Sequence, residues 1–272
     1  MMIYKDMDIG LGGMAMKNIL KIMLMMITIF TIAGSAVYAA EIPVSDQDQL
    51  ITSNDWTEIS NLQDEMKKEE PDATIDYDKA LKVYVDCNLI KLQTADTKKL
   101  TSALESANYV WVIPFKMEKT YGMFTVAKGL PLREEAKSVL TKAEQEEVKN
   151  HAGKWMITEI AEHTVKPYYD ILLEKREALS DCTRVVLVGS QPGMRQPVAL
   201  GMDDETARIW ISLGYQYPVM EKIPETQNVE SGVYSFDSVA EISDTYIEDS
   251  EVSTGAGVQS RSSMKYVAGI GI

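Results

Sequence analysis

Few residues in this chain are typed and spaced for chemistry. Ser190 stands in the segment Gly189-Ser190-Gln191-Pro192-Gly193. A nucleophile elbow requires Gly-x-Ser-x-Gly with the serine on a strand-to-helix turn. Here Ser190 directly follows Gly189, and Pro192-Gly193 spells a type II turn between two strands. A phosphate loop needs wider glycine spacing and a Lys-Ser/Thr pair, which Met194-Arg195 does not supply. The chain has two histidines, His151 and His163. They lack the His-Glu-x-x-His spacing, and zinc takes three or four ligands, so Glu159 or Glu162 would have to complete a site beside His163. Asp203, Asp204 and Glu205 form an acidic turn without the alternating carboxylates of an EF-hand loop.

Trp111, Trp155 and Trp210 have rings that could stack on sugars, yet each falls in an expected strand and reads as core. Carboxylate pairs for glycoside hydrolysis are defined by spatial separation, which sequence spacing does not give. The residues therefore assign no catalytic, cofactor-binding or metal-ligating position, and they imply no cofactor.

The two cysteines, Cys87 and Cys182, allow one intramolecular bridge. It would close a loop of nearly 100 residues, a constraint of roughly 4 to 5 kcal/mol in the chain-entropy account. The alternative is two buried free thiols.

Composition narrows the function classes. The chain has 272 residues, with 27 Lys plus Arg against 41 Asp plus Glu, for a net charge of -14. Phosphate binding needs clustered cations, so this balance argues against a general nucleic-acid surface. The 45% hydrophobic and 25% charged content is that of an ordinary globular protein.

The N-terminus carries the strongest signal. Lys17 and Lys21 precede an uncharged apolar run over residues 22–33, then Gly34 and Ser35, then Val37-Tyr38-Ala39 with small residues at the -3 and -1 positions of a cleavage site. This resembles a bacterial secretory signal peptide in all three parts. Cleavage is expected after Ala39, or next after Ala40, and Met14 or Met16 would serve as the start. The alternative is an uncleaved anchor, since residues 22–40 hold no charge and are long enough to span a membrane. Removing residues 1–40, with three Lys and two Asp, leaves 24 basic and 39 acidic residues, a net charge of -15.

The elements behind the candidate residues follow from periodicity. Residues 41–74 read as a polar lead-in and an amphipathic helix with Trp56, Ile59, Leu62 and Met66 on one face. Residues 75–217 read as one α+β, or mixed α/β, domain with a mostly antiparallel sheet packed by helices. Its expected strands cover residues 81–85, 88–92, 109–115, 121–127, 154–161, 184–189, 197–202 and 207–213. Pro114 should sit at an edge or a strand end. Expected helices cover residues 97–107, 132–152 and 165–179. The second of these has Ala136, Val139, Leu140, Ala143 and Val148 inward, His151 in its last turn and Gly153 as terminator. Residues 218–272, rich in acids, Ser, Thr and Gly, read as a flexible region of low order with one or two edge strands.

These features predict an exported, non-catalytic protein that binds a protein partner or small ligand outside the cytoplasmic membrane. One alternative is a secreted hydrolase acting on cell-wall, glycan or peptide material through carboxylates or a Ser190–His pair. The other is a sensor or assembly factor tethered by residues 22–40.

Overall fold

The computed structural model describes residues 42–249 except 164–165, 195, 216, 218–219, 221–222 and 224–231, with the backbone alone at residues 163 and 244–249. The expected signal peptide, the alternative anchor, most of residues 218–231 and residues 250–272 lie outside the described residues. Among the described residues, no helix is long and apolar enough to cross a membrane.

Among the described residues nine strands form one sheet: β1 (Thr74–Ile75), β2 (Leu81–Tyr84), β3 (Tyr109–Lys116), β4 (Tyr121–Lys128), β5 (Trp155–His163), β6 (Arg184–Val188), β7 (Val198–Met202), β8 (Ala207–Ile211) and β9 (Val233–Ser235). The spatial order is β5-β4-β3-β2-β6-β7-β8-β9, and β1 pairs with the far end of β3. Every pairing is antiparallel except β2 with β6. The helices are α1 (Trp56–Ile59), α2 (Gln63–Glu69), α3 (Thr97–Glu105), α4 (Lys142–His151), α5 (Tyr168–Glu174) and α6 (Phe236–Asp249). The fold is α+β, a mostly antiparallel sheet with helices.

Period-two alternation distributes the core. Leu81, Val83, Val112, Val185, Leu187, Ala199 and Ile211 line one face, where α5 covers them with Tyr168, Ile171 and Leu172. The opposite face carries two clusters. Trp111, Ile113, Phe115, Phe124 and Val126 pack under Leu50, Ile59 and Met66. Val186, Val188, Val198, Leu200 and Trp210 pack under Leu100, Leu104, Phe236 and Val239. The apolar face read at residues 56–66 is thus core, with Ile59 and Met66 fully buried. Full burial of each such side chain contributes about 1.5 to 3 kcal/mol. The lead-in and this helix belong to the same compact unit as the sheet, which begins at Ile42.

β2 and β6 are paired only at Val83–Leu187 and Tyr84–Val188. Toward their N-terminal ends the two strands splay, and the lead-in fills the gap. The Val185 N–H donates to the Pro43 carbonyl at 2.7 Å, and the Leu50 N–H to the Ala80 carbonyl at 3.2 Å. Gln49 bridges Leu81 in the position that β6 vacates.

Several expectations need correction. Residues 88–92 are no strand; Ile90–Leu92 form a 3-10 turn. Residues 132–152 are not one helix. A 3-10 turn covers Glu135–Ser138 and leaves Val139 79% exposed. Extended Thr141 then starts α4 through a capping box, its hydroxyl accepting from the Glu144 N–H while Glu144 accepts from the Thr141 N–H. Gly153, at φ 76°, ends the helical segment as expected.

Pro114 lies inside β3, not at an end. Its carbonyl accepts from the Asp76 N–H at 2.9 Å, so its nitrogen faces the interval where the neighbour of β3 changes from β2 to β1. No ladder donor is required there. Gly122 faces Phe115 across β4, where a Cβ would come within 2.1 Å of the ring. Finally, residues 233–249 hold the edge strand β9 and the fourteen-residue α6. Val239 is fully buried there, and Ser235 accepts from the Ser238 N–H at the helix start.

Candidate functional site

Lys82 and Tyr84 on β2 pair with Trp111 and Tyr109 on β3, so all four side chains share one face of the sheet. Arg184 on β6 shares the parity of Val186 and faces the same way. These residues occupy the seam between the two apolar clusters of that face. The lead-in brings Asp48 onto the seam, where it is 2% exposed.

Three hydrogen-bond donors and one ammonium surround this carboxylate. The Tyr84 hydroxyl donates to Oδ1 at 2.7 Å and the Ser45 hydroxyl to Oδ2 at 2.6 Å. An Arg184 terminal nitrogen donates to Oδ2 at 3.2 Å, and Lys82 Nζ lies 3.7 Å from Oδ1. The Arg184 Nε is buried and has no hydrogen-bond partner.

Lys82 is boxed by aromatic rings. Its Nζ lies 4.5 Å from the centroid of Tyr109, 5.3 Å from Trp111 and 5.8 Å from Tyr84. On the far side Asp55 accepts from the Tyr109 hydroxyl at 2.9 Å and from the Trp111 indole at 3.0 Å. Burial lowers the Lys82 pKa below the usual lysine range, against the opposing pull of Asp48 and Asp55. Burial and the Asp48 carboxylate push the Tyr84 hydroxyl upward, and burial with Asp55 does the same at Tyr109. The Lys82 side chain is 11% exposed, so it acts as a held counter-ion and not as an accessible nucleophile. The geometry binds a carboxylate on one side of an ammonium and fixes that ammonium over π faces.

The Ser190 segment lies at the carboxyl ends of the parallel pair. Ser190 is exposed at φ 57° and Asp86 adopts φ 59° at the exit of β2. Buried Gln191 ties the two exits together. Its amide donates to the Cys87 carbonyl at 2.6 Å and the Gly189 carbonyl at 2.9 Å, and accepts from the Leu89 N–H at 3.0 Å. Gln191 to Met194 closes as a turn with Gly193 at φ 71°, the type II geometry that Pro-Gly favours.

The histidines are elsewhere. His163 ends β5 and His151 ends α4, which leads into that edge strand. From β5 to β6 is four strand spacings, roughly 19 Å, so Ser190 is not brought to either histidine. Glu159 and Glu162 are exposed along β5. Asp203 serves its own turn, accepting from the Glu205 and Thr206 N–H groups at 2.8 and 2.7 Å. Those bonds hold its carboxyl below the usual range. Among the described residues, no group of three His, Cys, Asp or Glu is placed to hold a metal. Trp111, Trp155 and Trp210 are all buried in the core.

Cys87 and Cys182 form no bridge. Both thiols are free and buried. Cys87 packs in the cluster under α3 and α6, whereas Cys182 packs in the cluster under α5, so the sheet separates them. Burial, aided by Asp86 and Asp181, pushes each thiol to a pKa of about 11.

Sequence reasoning covers Lys82 and Tyr84 only as part of the expected strand 81–85, and it assigns Asp48 no role. No signal in the sequence pairs this strand with residues 109–115, and only that pairing sets the lysine against aromatic rings. No protein-family model, curated protein or solved structure matches this chain.

Proposed function

We propose that this chain is an exported protein whose folded unit serves as a binding module outside the cytoplasmic membrane. The carrying observation is the boundary of the compact unit that holds the sheet. The compact unit starts at Ile42, whose side chain is 4% exposed, and the expected cleavage points at Ala39 and Ala40 fall just ahead of it. The basic, apolar and small-residue order of residues 17–39 supports the same reading. So does the net charge of -15 left after residue 40.

Binding, in preference to catalysis, is supported by how the polar groups are used. Asp48 is satisfied by three hydrogen-bond donors and the Lys82 ammonium, Asp55 by two donors, and Gln191 by its three backbone partners. Ser190 follows β6, four strand spacings from the strand that His163 ends. Cell fractionation of the full chain tests the location: product beyond the cytoplasmic membrane agrees, and full-length product in the cytoplasm rejects it. A thermal-shift panel on residues 41–272, with Ca²⁺, Zn²⁺, sugars, amino acids, short peptides and cell-wall fragments, tests binding. A ligand at about a hundredfold over its dissociation constant adds roughly 2.7 kcal/mol.

A further inference from the structure

We infer that Lys82, Tyr84 and Arg184 form a carboxylate-binding site, occupied in this state by the chain's own Asp48, and that a carboxylate-bearing ligand competes with Asp48 for it. The inference deepens the binding reading and rests on it.

The receptor and its occupant are held differently. Lys82 and Tyr84 stand on β2 and Arg184 on β6, the central parallel pair of the sheet. The rings of Tyr109 and Trp111 fix the ammonium, and Asp55 fixes those rings in turn. Asp48 arrives on a turn, Ser45-Asp46-Gln47-Asp48-Gln49, set between the buried anchors Val44 and Leu50. All five residues of that turn are polar, and only the Asp48 side chain is buried. Lifting the turn therefore withdraws one buried side chain, Asp48, from the seam and gives up the Gln49–Leu81 bridge.

The fit of Asp48 is also incomplete. Tied to the backbone, it reaches Arg184 through one terminal nitrogen at 3.2 Å and leaves the buried Nε without a partner. A guanidinium fork takes a carboxylate through two parallel N–H bonds. A carboxylate free of the lead-in backbone can use both, with Tyr84 and Lys82 on its second oxygen. The site is thus built for an anion of this shape and is filled by an internal one that uses it in part. Its ligand class is a carboxylate presented at the end of a chain or on a small acid.

Chemical rescue tests this. Asp48→Ala removes the atoms of one carboxylate, the volume of formate. The unfolding midpoint of Asp48→Ala should rise with sodium formate, by roughly 3 to 6 °C per tenfold increase above the dissociation constant, and should not rise with sodium chloride. Adding Arg184→Met to Asp48→Ala should abolish the rise. If Asp48→Ala does not fold in chloride, native circular dichroism regained in formate makes the same point. Failure to gain stability or structure in formate overturns the site.

In the unaltered chain, formate should speed hydrogen exchange over residues 45–50, and chloride should not. Unchanged exchange overturns the competition with Asp48. Both failures would leave any stabilisation found in the thermal-shift panel untouched, so they are distinguishable from failure of the binding reading.

Discussion

Asp48→Asn removes one negative charge from a site that is 2% exposed while keeping its shape. The amide cannot accept on both sides, so one of its two ends presents N–H groups to Arg184 and Ser45 or to Tyr84. Lys82 and Arg184, at 11% and 26% side-chain exposure, lose the anion that offsets their desolvation. Breaking a buried ion pair from one side costs about 3 to 5 kcal/mol. Residual exposure of Arg184 places the expected value near the lower end, about 3 kcal/mol. For a unit of this size that is a fall in midpoint of roughly 6 to 12 °C.

Tyr84→Phe removes one hydrogen bond to a charged acceptor and should cost about 1.5 to 3 kcal/mol. Because both act on one carboxylate, the double variant should fall short of the sum by about 1 kcal/mol or more. Urea unfolding with a common m-value measures all three. A loss under about 1 kcal/mol for Asp48→Asn, or strict additivity, would refute the reasoning, since neither fits a mutually dependent buried cluster.

Three further outcomes are expected. Burial raises the pKa of each thiol from 9.0 in the unfolded chain to about 11 in the folded one. This stability is complete below pH 9 and is lost as pH rises toward 11, at up to about 1.4 kcal/mol per pH unit for each thiol. Cys87→Ala should halve the thiol part of the slope, and an unchanged slope would contradict the burial account. Gln191→Ala strips partners from three backbone groups and should cost about 2 to 4 kcal/mol in chemical denaturation; neutrality would show that the two strand exits are held by other contacts. Val239→Asp places an unpaired charge under α6 and should cost several kcal/mol with increased dye binding to exposed core; a native-like midpoint would mean that α6 does not cover Trp210 and Leu200.

The strands of the central sheet were legible because both faces are buried and alternation or continuous apolar runs mark them, as at Val185 to Val188 and Ile209 to Ile211. Strand pairing was not legible, and with it went the site. Lys82 looks solvent-facing until β3 sets Tyr109 and Trp111 beside it, and Asp48 looks like lead-in until β2 and β6 splay. The segment 132–152 misled because its apolar spacing suits a helix, whereas Thr141 and Glu144 restart the chain within it. That capping pair is visible in the sequence and marks the true start. α6 was masked by acidic composition, although Phe236, Val239 and Ser243 follow helical spacing and are all buried. The cysteines show the limit of pairing by count, because two thiols on opposite faces of a sheet cannot meet.

The most direct test of the account is the intact mass of the protein recovered from outside the cytoplasmic membrane. The account predicts a chain beginning at Ala40 or Glu41, with two free thiols. A membrane-bound chain that retains residues 22–40, or an unprocessed chain in the cytoplasm, would contradict it.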